Sequence, residues 1–371
     1  MHHSKIVFFN RSAVHYRERI YCLMDKELDI DFYFGDSRPG EIKSFDYTGL
    51  KGFKKLLKNI IIREPIYWQI GVISLAFKPY KVYITPGDIW SISTWITLVL
   101  CRMFGKKVIL WTHGWYGKET WLKRIIKKIH FLLANEILLY GGYAKRMMIN
   151  QGINPNKIHI IYNSLDYDKQ LSIRKTKLNE NIFVQHFNNE NKNLIFIGRL
   201  TKIKCLEISL LALFLLKQKG VTYNITFIGD GEMKTDLSVL AQEMHMTDNV
   251  WFYGECYDEH LLAKLLFNAD LCVSPGNVGL TAIHSMSYGT PVITHNNFAY
   301  QMPEFEAIIE GETGAFFTQN NIESLSVTIA KWFSLSIERQ QIRKQCYEVI
   351  DTKYNPYIQI SIIKKIINKY N

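Results

Sequence analysis

Residue types suited to holding a phosphate group concentrate between Leu271 and Thr294, LCVSPGNVGLTAIHSMSYGTPVIT. The stretch reads as a buried strand, a glycine-bearing turn, a short helix, a glycine stop and a second strand opened by Thr290-Pro291. That order puts the backbone N–H groups of Val278, Gly279 and Leu280 at a helix N-terminus. Such a terminus has unsatisfied donors and about half a positive charge, which suits an anion. Gly279 lacks the Cβ that would hold a phosphate away. A second element lies upstream, in NLIFIGRLTKIKCLE from Asn193 to Glu207. There an apolar strand ends in Gly198-Arg199-Leu200, and Lys204 follows five residues after Arg199. A guanidinium fork and an ammonium point charge at one strand–helix turn can neutralise a diphosphate. Each piece alone also fits a plain βαβ turn or a pair of solvated cations. Their fixed order favours the phosphate.

These residues resemble glycosyltransferase family 4, whose members use nucleotide sugars and have the GT-B fold. The likeness covers most of the chain and is strongest from Leu194 to Phe317. In order come Gly198-Arg199-Leu200 with Lys204, then Phe227-Ile228-Gly229-Asp230-Gly231-Glu232 and Val250-Trp251-Phe252-Tyr253-Gly254. Ala269-Asp270, the glycine turn and Gly311-Glu312-Thr313-Gly314 complete that half. Upstream, Thr112-His113-Gly114 and Ile161-Tyr162-Asn163-Ser164-Leu165-Asp166 stand where the family has a histidine and an Asn-Gly-x-Asp turn. The resemblance implies His113, Arg199 and Lys204 at the reacting centre. It implies a donor site of Gly198, Asn163, Gly229, Tyr253, Val278, Gly279 and Leu280.

Two departures bear on that site. The family usually carries glutamates eight positions apart around the glycine turn, the first toward the donor sugar and the second toward the ribose hydroxyls. Here those positions are Gly276 and His284. A neutral imidazole has one donor and one acceptor, so His284 can serve a ribose. Glu304, the nearest downstream acid with Glu306, could replace the missing carboxylate. The N-terminal glycine pair of the family is absent too, replaced by Asn10-Arg11-Ser12-Ala13-Val14-His15-Tyr16-Arg17.

The family's chemistry is retaining transfer by front-face attack, with the leaving phosphate oxygen taking the acceptor proton. The resemblance therefore implies a UDP- or GDP-linked sugar as substrate, no cofactor and no metal. The acceptor would be a saccharide or a polyprenyl-diphosphate-linked one. Two rivals remain: a non-catalytic scaffold of a polysaccharide assembly complex, motivated by Gly276 and His284, and a metal-dependent GT-A transferase, motivated by the pairs Asp29/Asp31 and Asp166/Asp168. A nucleic-acid binder would rest on charge alone, with no recognised binding module.

The elements that must position these residues alternate strand with helix, the pattern of a parallel, doubly wound α/β sheet. Strands are expected at 5–9, 31–34, 81–84, 107–112, 136–140 and 158–162. A second set is expected at 194–198, 223–228, 249–253, 270–274 and 291–294. This predicts two Rossmann-like domains, over 1–170 and 193–355, with a polar linker at 171–192 and a last helix within 356–371. The resemblance to the GT-B fold implies that the domains face across a cleft and that the last helix crosses back to the first.

With 371 residues, 47% of them hydrophobic and 21% charged, the chain can bury two cores and is not disordered. Six dispersed cysteines without a Cys-x-x-Cys pair fit reduced thiols in a cytoplasmic protein. Met1 to Ser4 run straight into a strand, leaving no room for a leader. Ile89 to Leu100 is too short to span a bilayer and reads as a core helix. Residues 1–180 hold 29 Lys/Arg against 15 Asp/Glu, a net of +14. Two basic stretches there read as amphipathic helices, one over Lys51 to Lys58 and one from Trp121 to Leu132. Together they predict a peripheral protein on the anionic inner face of a cell membrane.

Overall fold

Runs of β-branched and aromatic residues, such as Ile6-Val7-Phe8-Phe9, suit strands covered on both faces. A computed structural model, describing residues 5–36 and 44–370, builds two sheets from such runs. Met1 to Ser4 lie outside the described residues. The chain divides into two compact units, Met1–Asp166 with Asn355–Asn371, and Tyr167–Tyr354.

In the first unit the strands are β1 (Ile6–Asn10), β2 (Ile30–Gly35), β3 (Phe53–Leu57), β4 (Asn59–Arg63), β5 (Ile66–Gln69), β6 (Val82–Pro86), β7 (Lys107–Thr112), β8 (Glu136–Leu139) and β9 (Ile158–Ile160). Seven form a parallel sheet in the order β3-β2-β1-β6-β7-β8-β9, while β4 and β5 pair as a separate antiparallel hairpin. The intervening helices are α1 (Glu18–Glu27), α2 (Val72–Leu75), α3 (Ile92–Met103), α4 (Trp121–Leu132) and α5 (Gly142–Asn150).

The second unit opens with α6 (Tyr167–Arg174) and α7 (Ile182–Phe187), so the stretch expected as a polar linker carries helical structure. Then follow β10 (Asn193–Ile197), α8 (Glu207–Gln218), β11 (Asn224–Ile228), α9 (Lys234–Glu243), β12 (Val250–Gly254) and α10 (Glu259–Asn268). The rest is β13 (Leu271–Ser274), α11 (Leu280–Ser287), β14 (Val292–His295), β15 (Gly314–Phe317), α12 (Ile322–Ser334) and α13 (Arg339–Thr352). Its parallel sheet has the order β12-β11-β10-β13-β14-β15. The order reverses between β10 and β13, and ligands of doubly wound sheets bind outside the strand C-termini at such a point. Gly198 follows β10 there, and the Gly279 turn follows β13.

The final helix α14 (Pro356–Ile367) belongs to the first unit. Ile360, Ile363, Ile366 and Ile367 join the core that Ile20, Leu23 and Phe32 form beneath the sheet. Gln359 donates to the Tyr162 carbonyl at 3.0 Å, and Lys364 reaches Glu27 at 3.0 Å.

Every strand expected from the sequence is present, and β3, β4, β5 and β15 were not expected. The Lys51–Lys58 stretch is no amphipathic helix. Phe53–Leu57 is the edge strand β3, paired parallel to β2, with Lys54 and Lys55 exposed. Charged side chains on an edge block further strand pairing, which explains a basic pattern in a strand. The core helix expected over Ile89–Leu100 is α3, and its covered side is mainly Ser93, Thr94, Thr97, Leu98 and Cys101. Its apolar Ile92, Ile96, Val99 and Met103 face outward.

Candidate active site

Strand β13 ends in Ser274, and the chain turns through Gly276 and Gly279 into α11. Gly279 caps the helix at φ 53°, ψ −146°, a backbone state that favours glycine. Across the sheet reversal, the loop after β10 brings Lys204 onto this turn. Its ammonium donates to the Asn277 carbonyl at 2.6 Å and to Asn277 Oδ1 at 2.9 Å. The Gly276 amide donates back to the Lys204 carbonyl at 2.9 Å. Thus the two phosphate-type elements read from the sequence are one structure.

Burial pulls the Lys204 pKa down to about 8, with Arg199 adding to the fall and Glu304 opposing it. Arg199 is exposed and makes no side-chain hydrogen bond or ion pair among the described residues. Glu304 is buried in the 3-10 turn Pro303–Ala307 and bears electrostatically on Lys204. The sequence marked Glu304 only as the nearest downstream acid; the fold brings it within electrostatic range of the cation.

One of the three expected phosphate donors is already in use. The Val278 amide donates to Gln301 Oε1 at 2.9 Å, so it is not open to a phosphate. Gly279 and Leu280 keep amides without an acceptor among the described residues, as first-turn helix amides do. Gln301, which sequence reasoning missed, also donates from Nε2 to Thr294 Oγ1 at 2.8 Å and to the His295 carbonyl at 3.1 Å. It ties the turn to β14. Nothing in its local sequence marks it, because its partners lie 6 to 25 positions away.

Gly276 has a steric reason. A Cβ there would lie 2.1 Å from the Ile203 carbonyl oxygen and 2.7 Å from Lys204 backbone atoms. The lysine-bearing loop therefore occupies the space a glutamate would need. His284 lies one turn into α11 from Leu280. Its Nε2 meets Glu259 Oε1 at 3.0 Å, the oxygen that also accepts from Tyr288 Oη at 2.6 Å and Gln170 Nε2 at 3.2 Å. Burial raises the Glu259 pKa, but His284 and the two hydrogen bonds outweigh it and hold the carboxyl down at about 2. Glu259 was also missed by sequence reasoning: it stands 25 positions from His284 and meets it only in the fold.

Gly229 is needed where strand ends crowd together, since a Cβ would lie 2.0 Å from the Gly198 carbonyl oxygen. The Gly198 amide donates to the Ile228 carbonyl at 3.0 Å. Tyr253 sits on the edge strand β12, separated from β13 by two strands, with its ring 5.0 Å from Trp251. It is not brought to the Gly279 turn.

His113 and Asn163 belong to the first unit. His113 follows β7 with its ring 4.7 Å from Tyr140 and 6.0 Å from Tyr116. Burial first, then the Arg17 and Lys127 charges, push its pKa down to about 3, so the imidazole is neutral. Its buried Nδ1 has no hydrogen-bond partner among the described residues. The loop that carries it is held by a buried pair, Lys127 to Glu119 at 2.7 Å. Glu119 accepts the Tyr116 and Gly117 amides at 2.9 Å, and Lys127 donates to the Gly114 carbonyl at 2.7 Å. Asn163 is buried after β9, its Oδ1 accepting the Ser164 amide at 3.0 Å.

Among the described residues no group of three His, Cys, Asp or Glu side chains is placed to hold a metal. Asp31 accepts from Tyr80 Oη at 2.6 Å and meets Lys54 at 3.3 Å, while Asp168 lies in the first turn of α6.

The architecture just described recurs in solved structures. The Anabaena protein HepE, crystallised with UDP, matches with a TM-score of 0.74 at 15% identity, over 98% of this chain and 100% of that one. The fold is GT-B. Residues 178–349, most of the second unit, match the family described as glycosyl transferases group 1. An uncharacterized 41.2 kDa protein in the cps region of Klebsiella pneumoniae is 28% identical over 263 residues, 65% of this chain and 66% of that protein. A GDP-mannose-dependent phosphatidylinositol dimannoside mannosyltransferase of Mycobacterium tuberculosis is 30% identical over 125 residues, 33% of this chain and 30% of that one. The aligned stretches span less than two thirds of these relatives' own lengths.

Proposed function

We propose that this chain is a retaining, metal-independent glycosyltransferase. It moves a sugar from a UDP- or GDP-linked donor to a saccharide or polyprenyl-diphosphate-linked acceptor. Its setting is bacterial surface polysaccharide synthesis on the cytoplasmic face of the cell membrane. The observation that carries the reading is Lys204, donating at 2.6 Å to the peptide just before the Gly279 turn, with Arg199 free at the end of the neighbouring strand. Two cations and open helix amides at one sheet reversal are suited to a diphosphate. UDP in the Anabaena protein and GDP-mannose in the mycobacterial name support a nucleotide-sugar donor. The cps setting of the Klebsiella relative supports polysaccharide synthesis.

In the reaction, the bond from the anomeric carbon to the donor phosphate breaks while a bond to the acceptor oxygen forms on the same face. The acceptor proton passes to the departing phosphate oxygen. The protein's task is to stabilise the diphosphate charge and align two substrates. Arg199, Lys204 and the Gly279 and Leu280 amides serve the first need. Neutral His113 offers a hydrogen bond to the donor sugar, and His284 one to the ribose. Changing Arg199 or Lys204 to Ala should lower turnover roughly 10²–10³-fold, the loss of one transition-state donor. The measurement is release of nucleoside diphosphate from a panel of UDP and GDP sugars. Wild-type turnover in the double variant would overturn the diphosphate assignment. Donor binding without turnover in the native chain would favour a scaffold.

A further inference from the structure

Helix α4 is amphipathic the wrong way round for a helix packed on its own sheet. Its covered side carries Lys127, His130 and Phe131, with His130 fully buried. Its outer side carries Trp121, Leu122, Ile125, Ile126, Ile129 and Leu132, every one of them exposed. Trp121 is 71% exposed and Ile129 50%. An ordinary surface helix turns its apolar stripe inward.

Helix α3 shares part of this pattern. It buries Ser93, Thr94 and Thr97 along with Leu98 and Cys101, yet exposes Ile96, Val99 and Met103, the last at 72%. The two helices are neighbours, for Trp95 stacks edge-on against His130 at 4.6 Å and Arg102 donates to the Leu132 carbonyl at 3.4 Å. Both outer faces are apolar, and exposed Phe104, just past the end of α3, packs against exposed Phe77 with rings 5.5 Å apart. Large exposed apolar patches on a folded chain mark an interaction site.

Charge decides the occupant. From Ile89 to Asn135 the chain has eight Lys or Arg and one acid, Glu119, which is buried against Lys127. Arg102, Lys118, Arg124 and Lys128 are exposed in this region. Apolar side chains framed by cations whose stems can reach outward, with an indole among them, match the boundary between acyl chains and anionic headgroups. A protein partner would need matching acids, and a second copy of this surface would bring like charges together. Among the described residues no helix is long and apolar enough to cross a membrane. We propose that the outer faces of α3 and α4 form the docking surface by which this chain sits on an anionic bilayer, which rests on the membrane setting of the function proposed above.

The test is co-sedimentation of the full chain with vesicles of phosphatidylglycerol and phosphatidylcholine, and with pure phosphatidylcholine vesicles. The native chain should favour the anionic vesicles, and binding should fall as salt screens the cations over about 10 Å. An Ile125→Gln, Ile129→Gln variant should bind roughly tenfold more weakly or worse, since both side chains leave the acyl boundary. Both positions are solvent-facing, so circular dichroism should stay native, and nucleoside diphosphate binding should be unchanged. If the variant binds vesicles like the native chain, this surface is wrong while the membrane setting stands. Failure of the native chain to bind any vesicle would remove both. A native dimer that the same substitutions dissociate would make the occupant a second copy, overturning the lipid assignment. Loss of nucleotide binding in the native chain would instead count against the transferase reading alone.

Discussion

At the residue scale, the site departs from the family it resembles at two positions, for two different physical reasons. Gly276 is fixed by packing, because a side chain would strike the backbone that carries Lys204. His284 is fixed by a partner, because Glu259 already supplies a buried carboxylate 3.0 Å from its ring. With Nε2 engaged by Glu259, Nδ1 is the ring atom that the proposed ribose contact would use. This reverses the effect of restoring the family residue. His284→Glu would set two carboxylates in one pocket, and like charges so close cannot both ionise. His284→Ala should weaken nucleoside diphosphate binding by roughly 1–2 kcal/mol, one hydrogen bond with a partner left unpaired. His284→Glu should do no better alone, and should regain affinity when combined with Glu259→Gln. Titration calorimetry on the three variants checks this. Full affinity in His284→Ala would make the residue packing only, and an independent benefit from His284→Glu would break the pairing argument.

At the element scale, legibility followed how local the cause of each element is. Strands such as β1 and β10 were readable because their own runs of Ile, Phe and Leu demand cover on both faces. The glycine turn and α11 were readable because their punctuation is local. Strand β3 was misread because Lys54 and Lys55 serve its edge, a fact of sheet order that the segment does not contain. Gln301 and Glu259 escaped notice because their roles exist only through distant partners. Helix α4 was found, yet which of its sides is covered could not be told from its period. That inversion has a consequence for stability. Burial holds the His130 pKa down at about 4, against 6.5 for a free histidine. The unfolded chain therefore binds a proton that the folded chain refuses, and stability falls as pH drops from 6.5 toward 4. At about pH 5 the cost is roughly 2 kcal/mol. His113 and His295, also pushed down by burial, act with the same sign. Urea unfolding at about pH 7.5 and about pH 5 should show a loss in the native chain that is smaller in His130→Phe. The comparison is within each protein, so a packing cost of phenylalanine cancels. An equal loss in both would show that His130 is protonated when folded.

At the scale of the whole molecule, the chain finishes one unit with residues from its far end. Helix α14 supplies Ile360, Ile363, Ile366 and Ile367 to the core under the first sheet, while the second unit closes on itself at Tyr354. Each buried isoleucine contributes roughly 1.5–3 kcal/mol, an upper bound of about 6–12 kcal/mol for the four. Marginal stability for a domain is about 5–15 kcal/mol, so the first unit has little left without this helix. Polar ties go with it: Gln359 to the Tyr162 carbonyl at 3.0 Å, Ser164 to Gln359 at 2.7 Å, and Tyr370 to Glu136 at 2.7 Å. A chain ended after Tyr354 should therefore be cut readily by protease within residues 5–166 while residues 167–354 resist. The surviving second unit should still bind a nucleoside diphosphate, because Lys204, the Gly279 turn, His284 and Glu259 all lie inside it. Equal resistance in the shortened and full chains would show that the first sheet carries its own core. Loss of nucleotide binding from a folded 167–354 fragment would show that the donor site needs residues such as His113 and Asn163 from the first unit for affinity as well as for turnover.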